Sequence, residues 1–187
     1  ALEETPESVS LALYTAPGLD KNQLGTYLGK GPVEKYPFHH KVRLAFVTHF
    51  DFSACGRFAS ALRTYLHKFR LPGEAQQIDR LMDAFSKEYY KQQGRKSVFK
   101  DADAVFVLAF STIMLNTDLH NPNIKNKRKM TRQQFIRNNR GINKGKDLPE
   151  AMLAWLYTDI REHELQVQRE IGEFISHSDA LAAENFR

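Results

Sequence analysis

Apolar residues recur at three- and four-residue intervals along most of the chain, and the strict alternation that marks strands is missing. The clearest case follows Glu74, where Ile78, Leu81, Met82, Phe85 and Tyr89 fall on one face and the pattern ends before Gly94. Upstream, about Arg57 to Phe69, the spacing gathers Phe58, Ala61, Leu62, Tyr65 and Leu66. The opening "TPESVSLALY" predicts a helix capped by Thr5, with Pro6 at its first position, Glu7 facing the dipole and Pro17-Gly18 as its stop. A short helix from about Asp20 is expected to stop at "LGKGP", and another to run from about Phe38 to His49.

In the second half, Asp101 caps "ADAVFVLAFSTIMLN", which is apolar nearly all round and belongs at the centre of a helical domain. At Thr131, "TRQQ" has the form of a capping box, and Gly141 stands where that helix should stop. Asp147 and Pro149 are expected to open a helix carrying Leu153, Leu156, Tyr157 and Ile160. The later "LQVQREIGEFI" is a weaker helical candidate. No repeat or low-complexity tract interrupts the series and the linkers are short. The expectation is one all-α domain over residues 1–165 and a C-terminal extension or tail over 166–187.

Composition narrows the class. A hydrophobic share of 42% with 13 Phe and 7 Tyr supports a folded core. The single cysteine, Cys55, allows no intramolecular disulfide and fits a reducing, cytoplasmic setting. The start of the chain lacks the basic-then-apolar order of a secretory signal. The most apolar run, Ala104 to Leu115, is too short to span a bilayer. Charge is unevenly placed: nine basic residues and no acidic one lie between Lys125 and Lys146, whereas Arg161 to Arg187 has six acids against three bases. Such a basic segment, Lys125, Lys127, Arg128 and Lys129 at its head, is either a solvated face or a surface for a polyanion.

Enzyme signatures are scarce. "GINKGKD" has too few residues between its glycines for a phosphate-binding loop, so no nucleotide site of the chain's own is expected. Asp101 and Asp103 lack the rest of a calcium loop, Asp118 and His120 lack metal-binding companions, and no metal is expected. Two stretches hold interest. In "FRLPGEAQQIDR", Leu71, Pro72 and Gly73 break a helix and lift Glu74 to the tip of a turn, Gly73 being free to take backbone shapes other residues avoid. Pattern alone favours Glu74 as a dipole-compensating carboxylate, worth about 0.3–1 kcal/mol. The other reading is a carboxylate presented to a partner. The second stretch, "VFVLAFSTIMLNTDLHNPN", joins an apolar helix to a polar string and could form a groove for another protein's apolar side chains.

The two stretches together resemble the paired signature motifs of the Sec-seven domain, the catalytic module of Arf guanine-nucleotide exchange factors. "FRLPGEAQQIDR" is similar to the first motif, and "VLAFSTIMLNTDLHNPN" with "FIRNNRGINKGKDLPE" to the second and its continuation. The similarity runs from about Thr5 to Leu165. It implies an elongated right-handed all-α superhelix of about ten helices, with the family's first helix, before Thr5, absent from this sequence. It implies that Glu74 is the glutamic finger that enters the nucleotide site of an Arf-family small GTPase, clashes with the GDP β-phosphate and magnesium, and engages the P-loop lysine. No cofactor of the chain's own is implied; the GDP and magnesium are the partner's. Phe106, Phe110, Ile113 and Met114 match the apolar groove for the GTPase switch regions, with Phe110, Ile113 and Met114 on one face. Asn121 matches a polar rim position.

Some positions depart from the family pattern. Ser111, Asp118 and Met130 resemble members sensitive to brefeldin A, an inhibitor bound at the GTPase interface, whereas Phe110 does not. "IKNKRKMT" is two residues longer than the common "IKNKMT", so the alignment of Met130, the subfamily and the sensitivity all stay open. The resemblance also implies vesicle-transport signalling and peripheral recruitment to Golgi, endosomal or plasma membranes. Anionic lipid then becomes a partner for the basic segment. A non-catalytic helical scaffold is the alternative, although it has no use for Glu74. Nucleic-acid binding is not expected, because Phe135 is the only aromatic residue among the basic ones.

Overall fold

The computed structural model describes residues 4–166, so the helical candidate and tail beyond Gln166 lie outside the described residues. The described residues form eight α-helices: α1 (Pro6–Thr15), α2 (Lys21–Gly29), α3 (Pro37–Val47), α4 (Phe58–Lys68), α5 (Ala75–Gln93), α6 (Ala102–His120), α7 (Arg132–Asn138) and α8 (Glu150–Glu162). Two 3₁₀ turns, Gly94–Lys96 and Asn126–Arg128, complete the order, and no named strand occurs among these residues. The fold is all-α.

The helix starts follow from local chemistry. Thr5 and Ser8 form a reciprocal capping box, Asp20 accepts from the backbone N–H groups of Asn22 and Gln23, and Asp101 accepts from that of Ala104. Thr131 and Gln134 likewise form the expected box. Asp147 departs from expectation. Its carboxylate accepts from the Gly141 N–H at 2.8 Å and closes the α7–α8 loop, leaving Pro149 at the α8 N-cap without a side-chain cap. α7 ends at Asn138, three residues before Gly141, whose φ of 73° turns the chain beyond the helix.

α5 is the structural axis, packing against α2, α3, α4 and α6, while α6 is held between α5 and α8. The faces predicted for α4, α5 and α8 are all buried. Around Tyr65 the core is aromatic: its ring lies 4.9 Å from Phe69, edge-on, and 5.3 Å from Phe85, stacked. The Tyr65 hydroxyl, which burial would otherwise penalise, donates to the Leu81 carbonyl at 3.1 Å.

At 19 residues, α6 exceeds the apolar run visible in the sequence and reaches membrane-spanning length and hydropathy. Its environment is that of a core helix, since Ala104, Val105, Leu108, Ala109, Ile113 and Leu115 are fully buried against protein. Length and apolarity are met equally by a membrane span and by a central helix; burial inside the protein identifies the latter.

Candidate functional site

The turn between α4 and α5 is anchored on one side and free on the other. Phe69, Leu71 and Pro72 are buried, and the next two residues, Gly73 and Glu74, emerge into solvent. The turn rests on α2. The Arg70 N–H donates to the Lys21 carbonyl at 2.9 Å, and Lys21 Nζ donates to the His67 carbonyl at 2.6 Å. A Cβ on Gly25 would lie 1.8 Å from the Arg70 carbonyl oxygen, so only glycine permits this approach. One turn along, Gly29 also lies tight against α5: a Cβ there would be 2.8 Å from the Gln77 Cβ. α2 is thus a bracket that clamps the α4–α5 turn by its backbone.

Glu74 is the N-cap residue of α5, yet its side chain makes no capping hydrogen bond. Its Oε2 instead accepts from Gln77 Nε2 at 2.7 Å, on the exposed surface. The carboxylate stands beside the positive end of a 19-residue helix without being consumed by it. Gly73 differs from expectation: its φ is not positive, and a Cβ there would meet nothing within 4 Å. The turn does not need left-handed backbone at Gly73, and Pro72 with the buried anchors does the shaping.

On α6, Phe106, Phe110 and Met114 lie half-exposed at successive four-residue steps, and the first two rings are 4.9 Å apart. Ile113 is fully buried and is corrected from groove wall to core: it is one residue off this stripe, which turns its side chain about 100° towards α5 and α8. The stripe is therefore Phe106–Phe110–Met114 with Ile113 behind it.

The polar string that follows is largely occupied with backbone. Asn116 is buried and holds the segment after α8, accepting from the Leu165 N–H at 2.7 Å and donating to its carbonyl at 3.4 Å. His120 Nε2 donates to the Ile160 carbonyl at 2.7 Å. Asn121 caps the α6 C-terminus, and its Oδ1 accepts from the Asn123 N–H at 2.9 Å. Asp118 Oδ2 accepts from the Met130 N–H at 2.5 Å, while the Met130 carbonyl accepts from the Tyr157 hydroxyl at 2.8 Å. The lengthened connection is taken up by the 3₁₀ turn Asn126–Arg128, which returns Met130 to Asp118.

Asp118 and His120 are thus each committed to a backbone group. Among the described residues no group of three or more His, Cys, Asp and Glu side chains is arranged to hold a metal. Of the basic residues at the head of this loop, Lys125, Lys127 and Arg128 are exposed. Lys129 is not a free cation: it is half-buried and its Nζ donates to the Leu119 carbonyl at 2.5 Å, neutralising the negative end of α6.

The exposed carboxylate on its braced turn and the apolar stripe with its polar end lie in the two stretches that resemble the Sec-seven motifs. The profile of the Sec7 domain matches residues 1–165. The chain belongs to the Sec7 domain family. It is 45% identical over 175 residues to the ankyrin repeat, PH and SEC7 domain containing protein secG of Dictyostelium discoideum, covering 94% of this chain and 17% of that protein. To the brefeldin A-inhibited guanine nucleotide-exchange protein 2 of Arabidopsis thaliana it is 47% identical over 167 residues, covering 89% of this chain and 9% of that one.

Among solved structures, the Sec7p catalytic domain superposes with a TM-score of 0.77 at 42% identity, covering 86% of this chain and 80% of that one. The Sec7 domain bound to ARF1-GDP and brefeldin A does so with a TM-score of 0.74 at 39% identity, covering 88% and 78%. The chain spans under a fifth of the length of either curated relative.

The sequence marks Glu74 and the α6 stripe but not the residues that support the turn. Gln77 was within reach, since a residue three positions into a helix faces its N-cap. Gly25 gave a weaker signal, a glycine inside a helical pattern where alanine is better by about 1 kcal/mol. Its reason, the Arg70 carbonyl, lies 45 residues away.

Proposed function

We propose that this Sec7 domain is a guanine-nucleotide exchange factor that accelerates GDP release from an Arf-type small GTPase, with Glu74 as the finger. The observation that carries the proposal is the state of Glu74: exposed, at the N-cap of α5, uncommitted to the helix backbone and fixed from behind by α2. The half-exposed stripe Phe106–Phe110–Met114 supplies an apolar surface for the GTPase switch regions, with Asn121 at its polar end.

The mechanism is electrostatic and breaks no covalent bond. GDP and its magnesium belong to the GTPase. A carboxylate driven beside the β-phosphate repels it, competes for the magnesium ion and pairs with the P-loop lysine that the phosphate leaves. Two unit charges about 4 Å apart interact by about 4 kcal/mol at an effective dielectric near 20, enough for about a thousandfold in rate if spent on the release barrier. The finger must arrive with its position already set, and the buried Phe69–Leu71–Pro72 anchor and the α2 bracket provide that. The nucleotide-free complex is then stabilised until GTP displaces the exchange factor.

The setting follows from the same reading: a cytoplasmic domain recruited peripherally to Golgi, endosomal or plasma membranes in vesicle transport. Exposed Lys125, Lys127 and Arg128 would face an anionic membrane. Brefeldin A would act at the GTPase interface, where Asp118 and Met130 meet.

The test is fluorescent-GDP release from Arf proteins with the wild-type domain and with Glu74→Lys. Strong acceleration by the wild type and near-complete loss in the variant, with its melting temperature unchanged, is the expected result. Equal rates for the two proteins would remove Glu74 from the mechanism, and a wild type that accelerates no Arf would favour a scaffold.

A further inference from the structure

We propose that the basin between the α6–α7 connection and α8 binds a lipid headgroup carrying more than one phosphate. The basin has a volume of about 600 Å³ and is bordered by three cations, Lys129, Arg132 and Arg161, and no Asp or Glu lines it. These cations come from three places: the end of the connecting loop, the first turn of α7 and the last turn of α8. Arg161 lies outside the run of basic residues visible in the sequence, in a segment that is acidic on balance, and only the packing of α7 on α8 brings it to the others.

The polar groups are arranged for an anion. Arg132 has no carboxylate within ion-pair distance among the described residues; Arg161 has one, Glu162 at 3.4 Å, which is itself exposed and outside the lining. Guanidinium groups donate in a planar fork that fits two phosphate oxygens, and two such forks on separate helices fit two phosphates better than one. Thr131 Oγ1 accepts from the Gln134 N–H, which leaves its O–H to donate, and the Asn126 amide has no protein partner among the described residues. Lys129, with one N–H tied to the Leu119 carbonyl, adds positive charge at the rim.

The same chemistry argues against nucleic acid. The lining holds a single aromatic residue, Tyr157, whose hydroxyl is engaged by the Met130 carbonyl, and it offers no platform for bases. A membrane is favoured by continuity: exposed Lys125, Lys127 and Arg128 flank the basin on the 3₁₀ turn and extend its field over a wider surface. The basin and the apolar stripe share the α6 C-terminal end, since Leu119 borders the former and Met114 closes the latter. Headgroup binding would therefore hold the stripe close to the bilayer. That consequence rests on the exchange function proposed above, whereas the binding does not.

The experiment is flotation of the 187-residue chain with phosphatidylcholine vesicles containing either phosphatidylserine or a phosphatidylinositol bisphosphate, matched for total charge. Preference for the bisphosphate, loss of at least about tenfold in affinity in Arg132→Gln/Arg161→Gln, and less than about threefold in Lys125→Gln are expected. Arg161→Lys, which keeps charge but not the fork, should fall between them, and circular dichroism of each variant checks folding. Equal binding to both vesicle types at matched charge would overturn the proposal, as would a double variant that binds like wild type. Soluble inositol trisphosphate should compete; binding of it with no vesicle association would overturn the lipid assignment. Exchange measured without vesicles should be unchanged by Arg161→Gln, so failure of the exchange reading and failure of this one give different results.

Discussion

The carbonyl oxygen of Arg70 occupies the space that a side chain on Gly25 would need, 1.8 Å from an ideal Cβ. This contact joins the interior of α2 to the turn that carries Glu74, backbone to backbone, so neither side can yield by a rotamer change. Gly25→Ala is expected to displace the turn, lowering stability by about 1–3 kcal/mol as overpacking does. Exchange should fall further than stability explains. Thermal melting together with GDP release below the transition separates the two effects.

Gly73→Ala should be nearly silent in the free domain. The residue is exposed, does not use a positive φ, and a Cβ would have open space. A change in stability within about 0.5 kcal/mol is expected, measured by urea unfolding. Any loss of exchange in this variant would then report contact of the tip with the GTPase and not distortion of the turn.

Phe110 and Ile113 should separate cleanly. Ile113→Ala empties a fully buried site and should cost about 2–5 kcal/mol of stability. Phe110→Ala removes a half-exposed ring beside Phe106, so its main effect should be weaker GTPase binding, read as a raised half-saturating GTPase concentration. A result in which both variants lose only stability would argue against the stripe as a docking surface.

Asn116 ties the chain after α8 back to α6, and Arg63 reinforces the tie by donating to the His163 and Glu164 carbonyls and pairing with Asp159 at 2.8 Å. Asn116→Ala leaves the buried Leu165 N–H unpaired and should cost about 1–3 kcal/mol. Hydrogen exchange should show the loss of protection at Leu165 before any change at α5.

Acid should weaken the α2–α3 corner. Burial first, and then the Arg43 guanidinium, holds the His40 pKa below its ordinary value; Lys87 adds to this and Asp83 opposes it. Arg43 is itself buried and donates to the Leu28 carbonyl at 2.8 Å and to His40 Nδ1 at 2.9 Å, a bond that needs the neutral ring. The folded state therefore binds fewer protons than the unfolded one, so stability is complete above about pH 6.5 and falls as the pH drops below it. Melting temperatures between pH 7.5 and 5.5 should show this slope, and His40→Asn should reduce it to the share of His39, whose pKa is also lowered by burial and by Lys30 and Arg43.

Helix placement was legible in the sequence because each signal is local. Caps at Thr5, Asp20, Asp101 and Thr131 act within three residues, and the buried faces of α4, α5 and α8 repeat every turn. The α6 face was not legible, because a helix apolar all round carries no mark of which side meets the core; Ile113 and Met114 are equivalent in the sequence, yet Ile113 is fully buried and Met114 only partly so. Nor could the pattern show which backbone groups Asn116 and His120 would meet, those of Leu165 and Ile160.

The sequence by itself determined that the chain is helical, where its helices begin, and that a carboxylate stands at the break before α5. Those properties depend on neighbours a few residues apart. Tertiary structure alone decided that the turn carrying Glu74 rests on α2, that Gly25 braces it, and that Arg161 joins the basic loop about 30 residues before it. Each of these is set by groups far apart in sequence that packing brings within contact distance, and no local pattern encodes such a distance.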